Sequence, residues 1–255
     1  MTNVFSLSVF KNAGHCALVL LIVTFFSYCK TAGTASRQAS GPIKTLIVGG
    51  GSSHDFNRWY KQADSVTLAK DGFANVTYTS NIPAVLPLLS QVDVLYLSNN
   101  QPMADPQLRQ AIFDFVKNGK GIVLAHAATW YNHRDWPEYN RQLVGGGSRG
   151  HERYGNFDVR ITNSNHPITR NISEKTFNVK DELYRMNIDS AGASIEVLAI
   201  ATVPNTTTTY PLLWVTKSEK GRIVCFTLGH DAEAHDKPVY QELLKNSIKW
   251  AAGRL

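Results

Sequence analysis

The run Gly121-Ile122-Val123-Leu124-Ala125-His126-Ala127-Ala128 decides the fold. It follows Asn118-Gly119, stays apolar throughout, and passes directly into a histidine set between alanines. A strand that is apolar on both faces belongs in a parallel sheet covered by helices on each side. The residues before it complete the unit. Val92 to Leu97 reads as a strand, Asp105-Pro106 as an N-cap with proline at the first helical position, and Leu108 to Val116 as an amphipathic helix.

The same logic extends in both directions. Upstream lie a strand at Thr45-Leu46-Ile47-Val48 ending in Gly49-Gly50-Gly51 and a helix from about Phe56, with Trp59, Ala63, Val66 and Ala69 at helical spacing. A strand at Asn75 to Thr79 follows, then a connector from Pro83 to Leu89 whose two prolines forbid a long helix. Downstream, Trp136 to Val144 predicts a short helix, Gly145-Gly146-Gly147 a flexible loop and Phe157 to Ile161 a strand of alternating faces. Strands are expected at Glu196 to Ala201, Leu212 to Val215 and Ile223 to Leu228, the last two joined as a hairpin at Lys220-Gly221. A helix from about Val239 to Ala252 closes the chain. The expected fold is α/β, a flavodoxin-like three-layer sandwich with a mostly parallel sheet and an antiparallel extension.

The first residues differ from the rest. Lys11 precedes the apolar stretch Ala17 to Phe26, and Thr31 to Ser40 is small and polar, the pattern of a secretory signal peptide. The organisation expected is a signal over 1–35, a linker over 36–43 and one domain over 44–255. Two processing routes compete: cleavage near Ala35 to a soluble exported protein, or lipidation of Cys29 after the degenerate lipobox Phe26-Ser27-Tyr28, giving a lipoprotein whose only membrane attachment is that N-terminal anchor. Cys16 is lost either way, so Cys225 has no partner for an intramolecular disulfide framework and the fold rests on its core. The formal charge of +6 falls to about +4 when Lys11 and Lys30 leave with the leader, and no basic run argues for a nucleic-acid partner.

In open parallel sheets ligands bind beyond the carboxyl ends of the strands. Three such ends carry a histidine: His54 after the glycine run, His126 after β-forming Ala125, and His230 after Thr227-Leu228-Gly229. The glycine run is no dinucleotide fingerprint, because His54 stands where the third glycine belongs and no acid follows at Tyr78-Thr79-Ser80; no Lys-Ser or Lys-Thr makes it a P-loop either. Gly50 and its neighbours instead let the backbone turn tightly beside a small ligand. The small residues around His126 suit a strained elbow that lifts one side chain into a pocket. That side chain is neither serine nor cysteine, so acid–base work or metal ligation is expected of it; a hydrogen-bonded structural imidazole is the competing reading.

Asp181-Glu182 supplies two carboxylates that cannot both face one site, with Glu182 the one chosen and Asp181 read as an N-cap. Asp231 is expected to orient an imidazole beside His230. Trp130 and Tyr131, with His133, Trp136 and Tyr139, form an aromatic cluster suited to sugar rings or to covering the sheet end. His151, after the glycine loop, is a further binding candidate; His166 reads as a turn residue and His235 as exposed. No pair has a zinc-site spacing, so a divalent, zinc-like metal follows only from convergence, and the metal ligands stay undecided. A hydrolase using Cys225 is disfavoured because that thiol sits inside an apolar strand.

Gly49-Gly50-Gly51 with His54, Ala125-His126-Ala127-Ala128 with Trp130, Leu143-Val144-Gly145-Gly146 with His151, Asn165-His166-Pro167-Ile168, Asp181-Glu182-Leu183-Tyr184, Leu228-Gly229-His230-Asp231 and Trp250-Ala251 occur in that order. The ordered set resembles the ThuA-like, or trehalose-utilisation, family from about Lys44 to Gly253. The resemblance implies a fold similar to class I glutamine amidotransferases, with histidine in place of their catalytic cysteine, and a link to sugars, including oxidised or 3-keto glycosides. The function expected is an exported enzyme in which His126, Glu182 and His230 transfer protons on a small-molecule carbohydrate, with Gly50, His54, Trp130, Tyr131, His151 and Asp231 binding it. A non-catalytic sugar-binding lipoprotein on the same fold is the alternative.

Overall fold

The computed structural model describes residues 41–131 and 135–255. The expected signal peptide, Cys29 and His133 lie outside the described residues. In chain order the elements are β1 (Ile43–Val48), α1 (Ser65–Ala69), β2 (Ala74–Thr79), α2 (Val85–Leu89), β3 (Val94–Leu97), α3 (Pro106–Lys117) and β4 (Gly121–Ala125). Then come β5 (Gly146–His151), β6 (Gly155–Ile161), β7 (Thr176–Asp181), β8 (Tyr184–Ile188), β9 (Ile195–Thr202), β10 (Thr209–Thr216), β11 (Arg222–Phe226), α4 (Ala232–His235) and α5 (Pro238–Ala251).

One sheet has the order β2-β1-β3-β4-β11-β10-β9-β6-β7. Its first five strands pair in parallel, and the other four extend it antiparallel, beginning with the β10–β11 hairpin. The pleat of β4 shows why the molecule has three layers. Ile122 and Leu124 pack with Leu108, Ile112 and Phe115 of α3, whereas Val123 and Ala125 pack with Leu68 of α1 and Tyr240, Leu244 and Ile248 of α5. Successive strand residues point to opposite faces, so a strand buried on both sides must be apolar at every position. The order reverses at β1, which lies between β2 and β3, and this opens the crevice where such sheets bind ligands.

Local chemistry sets the ends of α3 as its sequence predicts. The Asp105 carboxylate accepts from the Gln107 amide, Pro106 occupies the first turn, and Gly119 leaves the helix at φ +87°. Four expectations need correction. The helix after β1 opens with a π-helical stretch, Asn57–Asp64, whose wider turn moves the buried face to Tyr60, Asp64, Thr67 and Leu68 and leaves Val66 exposed. Gly146 and Gly147 are no flexible loop but open β5, which pairs with β8 in a separate two-stranded sheet. Their missing side chains are what allow it, since a Cβ on Gly146 would lie 2.0 Å from the Asn187 carbonyl oxygen. Asp181 caps no helix and ends β7 instead. His235 is not exposed but buried, held in an ion pair with Asp64.

Candidate functional site

Four loops meet beyond the carboxyl ends of β1, β4, β7 and β11. The loop after β1 doubles back through Gly51, at φ +129°, where a Cβ would lie 1.6 Å from Asn100 Oδ1; only glycine permits that approach. It presents His54, whose Nδ1 is 2.5 Å from Ser53 Oγ, itself the acceptor of a 2.6 Å bond from Asn100 Nδ2. Gly50 accepts the Asn100 amide through its carbonyl and lines a second hollow on the far side of His54.

His126 follows β4 at φ +41°, a strained conformation for a residue with a side chain. Its ring is sealed from solvent, and Nδ1 lies 2.6 Å from the Thr227 carbonyl oxygen. A carbonyl can only accept, so Nδ1 carries the proton and, in the neutral ring, Nε2 presents a lone pair. That Nε2 is 3.0 Å from His54 Nε2 and 3.5 Å from Glu182 Oε2. His230 Nδ1 approaches the same oxygen to 3.4 Å and, although buried, has no hydrogen-bond partner. His151 donates from Nδ1 to the Glu152 carbonyl at 2.7 Å and turns Nε2 toward Glu182 Oε1 at 3.6 Å. His54 Nε2 lies 3.9 Å from Glu182.

Glu182 therefore sits among four imidazoles contributed by distant parts of the chain. Burial alone would raise its carboxyl pKa, but His126, His230 and His54 outweigh burial and hold it well below the usual carboxylate range. Burial lowers His54 to about 4, against the opposing pull of Glu182, so that ring is neutral at pH 7. His230 moves the other way, raised by its contact with the Glu182 carboxylate. One ligand atom from each of His54, His126, Glu182 and His230 lies within 4.8 Å of all the others, an arrangement that could hold a metal ion.

The cluster borders a cavity of about 280 Å³ lined by Ser53, His54, Asn100, Trp130, His151, Glu182 and Tyr184. Trp130 stands 5.8 Å from His151 and 5.1 Å from Tyr184, ring to ring. Tyr131 points elsewhere: its ring packs under the Arg149 guanidinium and lines a neighbouring cleft. Asp231 faces no imidazole, because its carboxylate accepts from Tyr154 Oη at 2.6 Å and from the Glu233 amide at the start of α4; Tyr154, in turn, packs on His230. His166 sits in a turn against Trp250, away from the cluster. A larger cavity of about 810 Å³, beside α3, contains none of these histidines.

Reasoning from the sequence alone missed several contributors. Ser53 and Asn100 hold His54, while Tyr184 packs its ring 4.6 Å from that of His126. Asp181 accepts from the Gly229 and His230 amides at 2.8 and 3.3 Å, so it serves the site through backbone rather than through ligand. Adjacent acids signal none of this, because the partner peptide is 48 residues away. Cys225 is buried and its thiol pKa is pushed far up by burial, which leaves it no nucleophilic role.

The family model described as ThuA, trehalose utilisation, matches residues 44–251. No curated protein matches the chain. Among solved structures, a ThuA-like protein from Parabacteroides merdae is 22% identical and covers 83% of this chain and 90% of its own, with a TM-score of 0.72. One from Bacteroides uniformis is 20% identical over 86% and 95%, with a TM-score of 0.69. A glutamine amidotransferase from Thermotoga maritima is 10% identical over 84% and 99%, with a TM-score of 0.52, so the architecture is that of the class I glutamine amidotransferase-like fold.

Proposed function

We propose that this chain, which belongs to the ThuA, or trehalose-utilisation, family, is an exported carbohydrate-processing enzyme using a divalent, zinc-type metal held by His54, His126, His230 and Glu182. The observation that carries the reading is the approach of four ligand atoms to within 4.8 Å of one another. The donor set suits the group. His126 has its tautomer fixed through Nδ1, as metal-ligating histidines do, and His230 Nδ1 is buried facing Glu182 Oε2 at 3.4 Å with no well-formed hydrogen bond. Ligand atoms of a tetrahedral zinc site lie about 3.3 Å apart, given bonds of about 2.0–2.1 Å, and the closest separations here are 3.0, 3.4 and 3.5 Å.

When bound, the metal would polarise a carbonyl or hydroxyl oxygen of a sugar or keto-glycoside. The chain's own residues divide the remaining work. Sealed from solvent, His126 holds rather than transfers. His151 stands at the cavity lip with its ring 37% exposed and Nε2 turned inward, placed to take a proton from the substrate and return it. Trp130 offers an aromatic face to the apolar side of a pyranose ring. The partner is thus a small carbohydrate and not a nucleic acid. Export rests on the leader over 1–35, with lipidation at Cys29 as one of its two outcomes.

Elemental analysis of the mature protein, followed by product detection with keto- and unmodified disaccharides, tests the reading. About one equivalent of metal, with turnover lost in Glu182→Gln and His151→Ala, is the expected result. Tight binding without turnover across the panel would leave a sugar-binding lipoprotein.

A further inference from the structure

Beneath the metal-ligand cluster lies a second set of buried ionisable groups that the proposed chemistry does not use. Asp64 Oδ1 is 2.7 Å from His235 Nδ1, while Oδ2 accepts from Tyr96 Oη at 2.7 Å and Tyr240 Oη at 3.2 Å. All four residues are buried. His235 Nε2 lies 3.1 Å from the Gly229 carbonyl oxygen, and Tyr60 Oη donates to that same oxygen at 2.7 Å. Nε2 of His235 thus donates to the Gly229 carbonyl, while Nδ1 and the Asp64 carboxyl share a proton between them.

The target of this network is the peptide immediately before His230. Gly229 sits at φ +132°, and a Cβ there would lie 2.8 Å from Tyr60 Oη and 3.4 Å from His235 Nε2. Its carbonyl is gripped from below by Tyr60 and His235, and its amide from the other side by Asp181, which also takes the His230 amide. We infer that Asp64 and His235, with Tyr60 and Asp181 completing the grip, are positioning residues that clamp the Gly229–His230 peptide and so aim His230 at Glu182. A buried ion pair is weak evidence for stability, since well-packed apolar replacements are often neutral or stabilising. A fixed geometry at the site above gives this pair a role that packing alone does not. The inference rests on the metal reading of that site.

Removing His235 alone strands a buried carboxylate and can unfold the protein, so the test uses two charge-neutral pairs. Asp64→Asn with His235→Leu removes the imidazole donor to Gly229 and leaves Tyr60 as its partner, whereas Asp64→Asn with His235→Gln restores a second donor. Zinc affinity of the folded proteins is read by competition with a chromogenic chelator, alongside melting temperature. The leucine pair is expected to bind zinc about 10- to 100-fold more weakly, the loss typical of outer-shell partners, and the glutamine pair to recover most of it. Equal affinities in both pairs and in the native protein, with only the melting temperature moved, would overturn the inference. If the native protein itself binds no zinc, the metal reading fails separately, and crystal structures of the two pairs decide the clamp. The His230–Glu182 distance must lengthen with leucine and not with glutamine.

Discussion

Nε2 of His126 faces Nε2 of His54 across 3.0 Å, behind the cavity wall, where both rings also meet the Glu182 carboxylate. Two imidazole nitrogens approach so closely only when at least one offers a lone pair, and the Thr227 carbonyl fixes that role on His126. The pair is therefore poised either to share one proton or to share a cation. The first consequence is a titration. Zinc binding should release a proton once pH falls below the raised folded pKa of His230, because a protonated ligand competes with the metal, and affinity should weaken further near pH 4, where His54 protonates. Isothermal titration in buffers of different ionisation enthalpy checks this; binding indifferent to pH between 5 and 8 would speak against histidine ligation.

His54 and His235 bias stability in opposite directions. The folded pKa of His54, about 4, lies below its unfolded value near 6.5, so the unfolded chain binds more protons between them and stability rises with pH across that window. His235 and His230 are raised. Their stabilisation is complete below about 6.5 and is lost as pH rises through their folded values. Denaturant titrations with chelator present should place maximal stability near pH 6.5. His54→Asn should flatten the acid limb, and Asp64→Asn with His235→Leu the alkaline one.

Gly51→Ala should damage the site without touching a ligand. The new Cβ would collide with Asn100 Oδ1, and φ +129° is strained for alanine. A loss of about 1–3 kcal/mol is expected from the backbone alone, with Asn100 displaced from Ser53 and His54 released. Chemical denaturation together with zinc affinity reads both effects; an unchanged affinity would show that Ser53 and Asn100 do not orient His54.

Much of this arrangement follows from the strand pattern. The apolar run Gly121 to Ala125 predicts a covered parallel sheet, and the rule that ligands gather at strand ends singles out His54, His126 and His230, which the fold brings together around Glu182. What stays hidden depends on long-range neighbours. His235 lies among Asp231, Glu233, Asp236 and Lys237, a charged stretch that reads as surface, and its burial depends on Asp64, 171 residues away. Asp64 is itself turned inward by a π-helical stretch that helical spacing cannot reveal. Glycines 146 and 147 mislead for another reason, since glycine is depleted in strands and what calls for it is the close passage of β8 at Gly146 and of Tyr131 at Gly147.

Cys225 takes no part in the proposed chemistry. The thiol is buried, and its polar contacts among the described residues are distant ones to Thr216 and Leu143. Cys225→Ala should retain turnover at a cost of about 1–2 kcal/mol in stability from the small cavity, and the native protein should resist alkylation until unfolded. Inactivation by iodoacetamide under native conditions would contradict this.

X-ray absorption at the zinc edge, on protein loaded with one equivalent, tests the metal centre most directly. The account predicts a first shell of three imidazole nitrogens and one carboxylate oxygen at about 2.0–2.1 Å, with the oxygen gone in Glu182→Gln and one nitrogen gone in His230→Ala. A native protein that takes up no zinc, or a first shell unchanged by both substitutions, would contradict it.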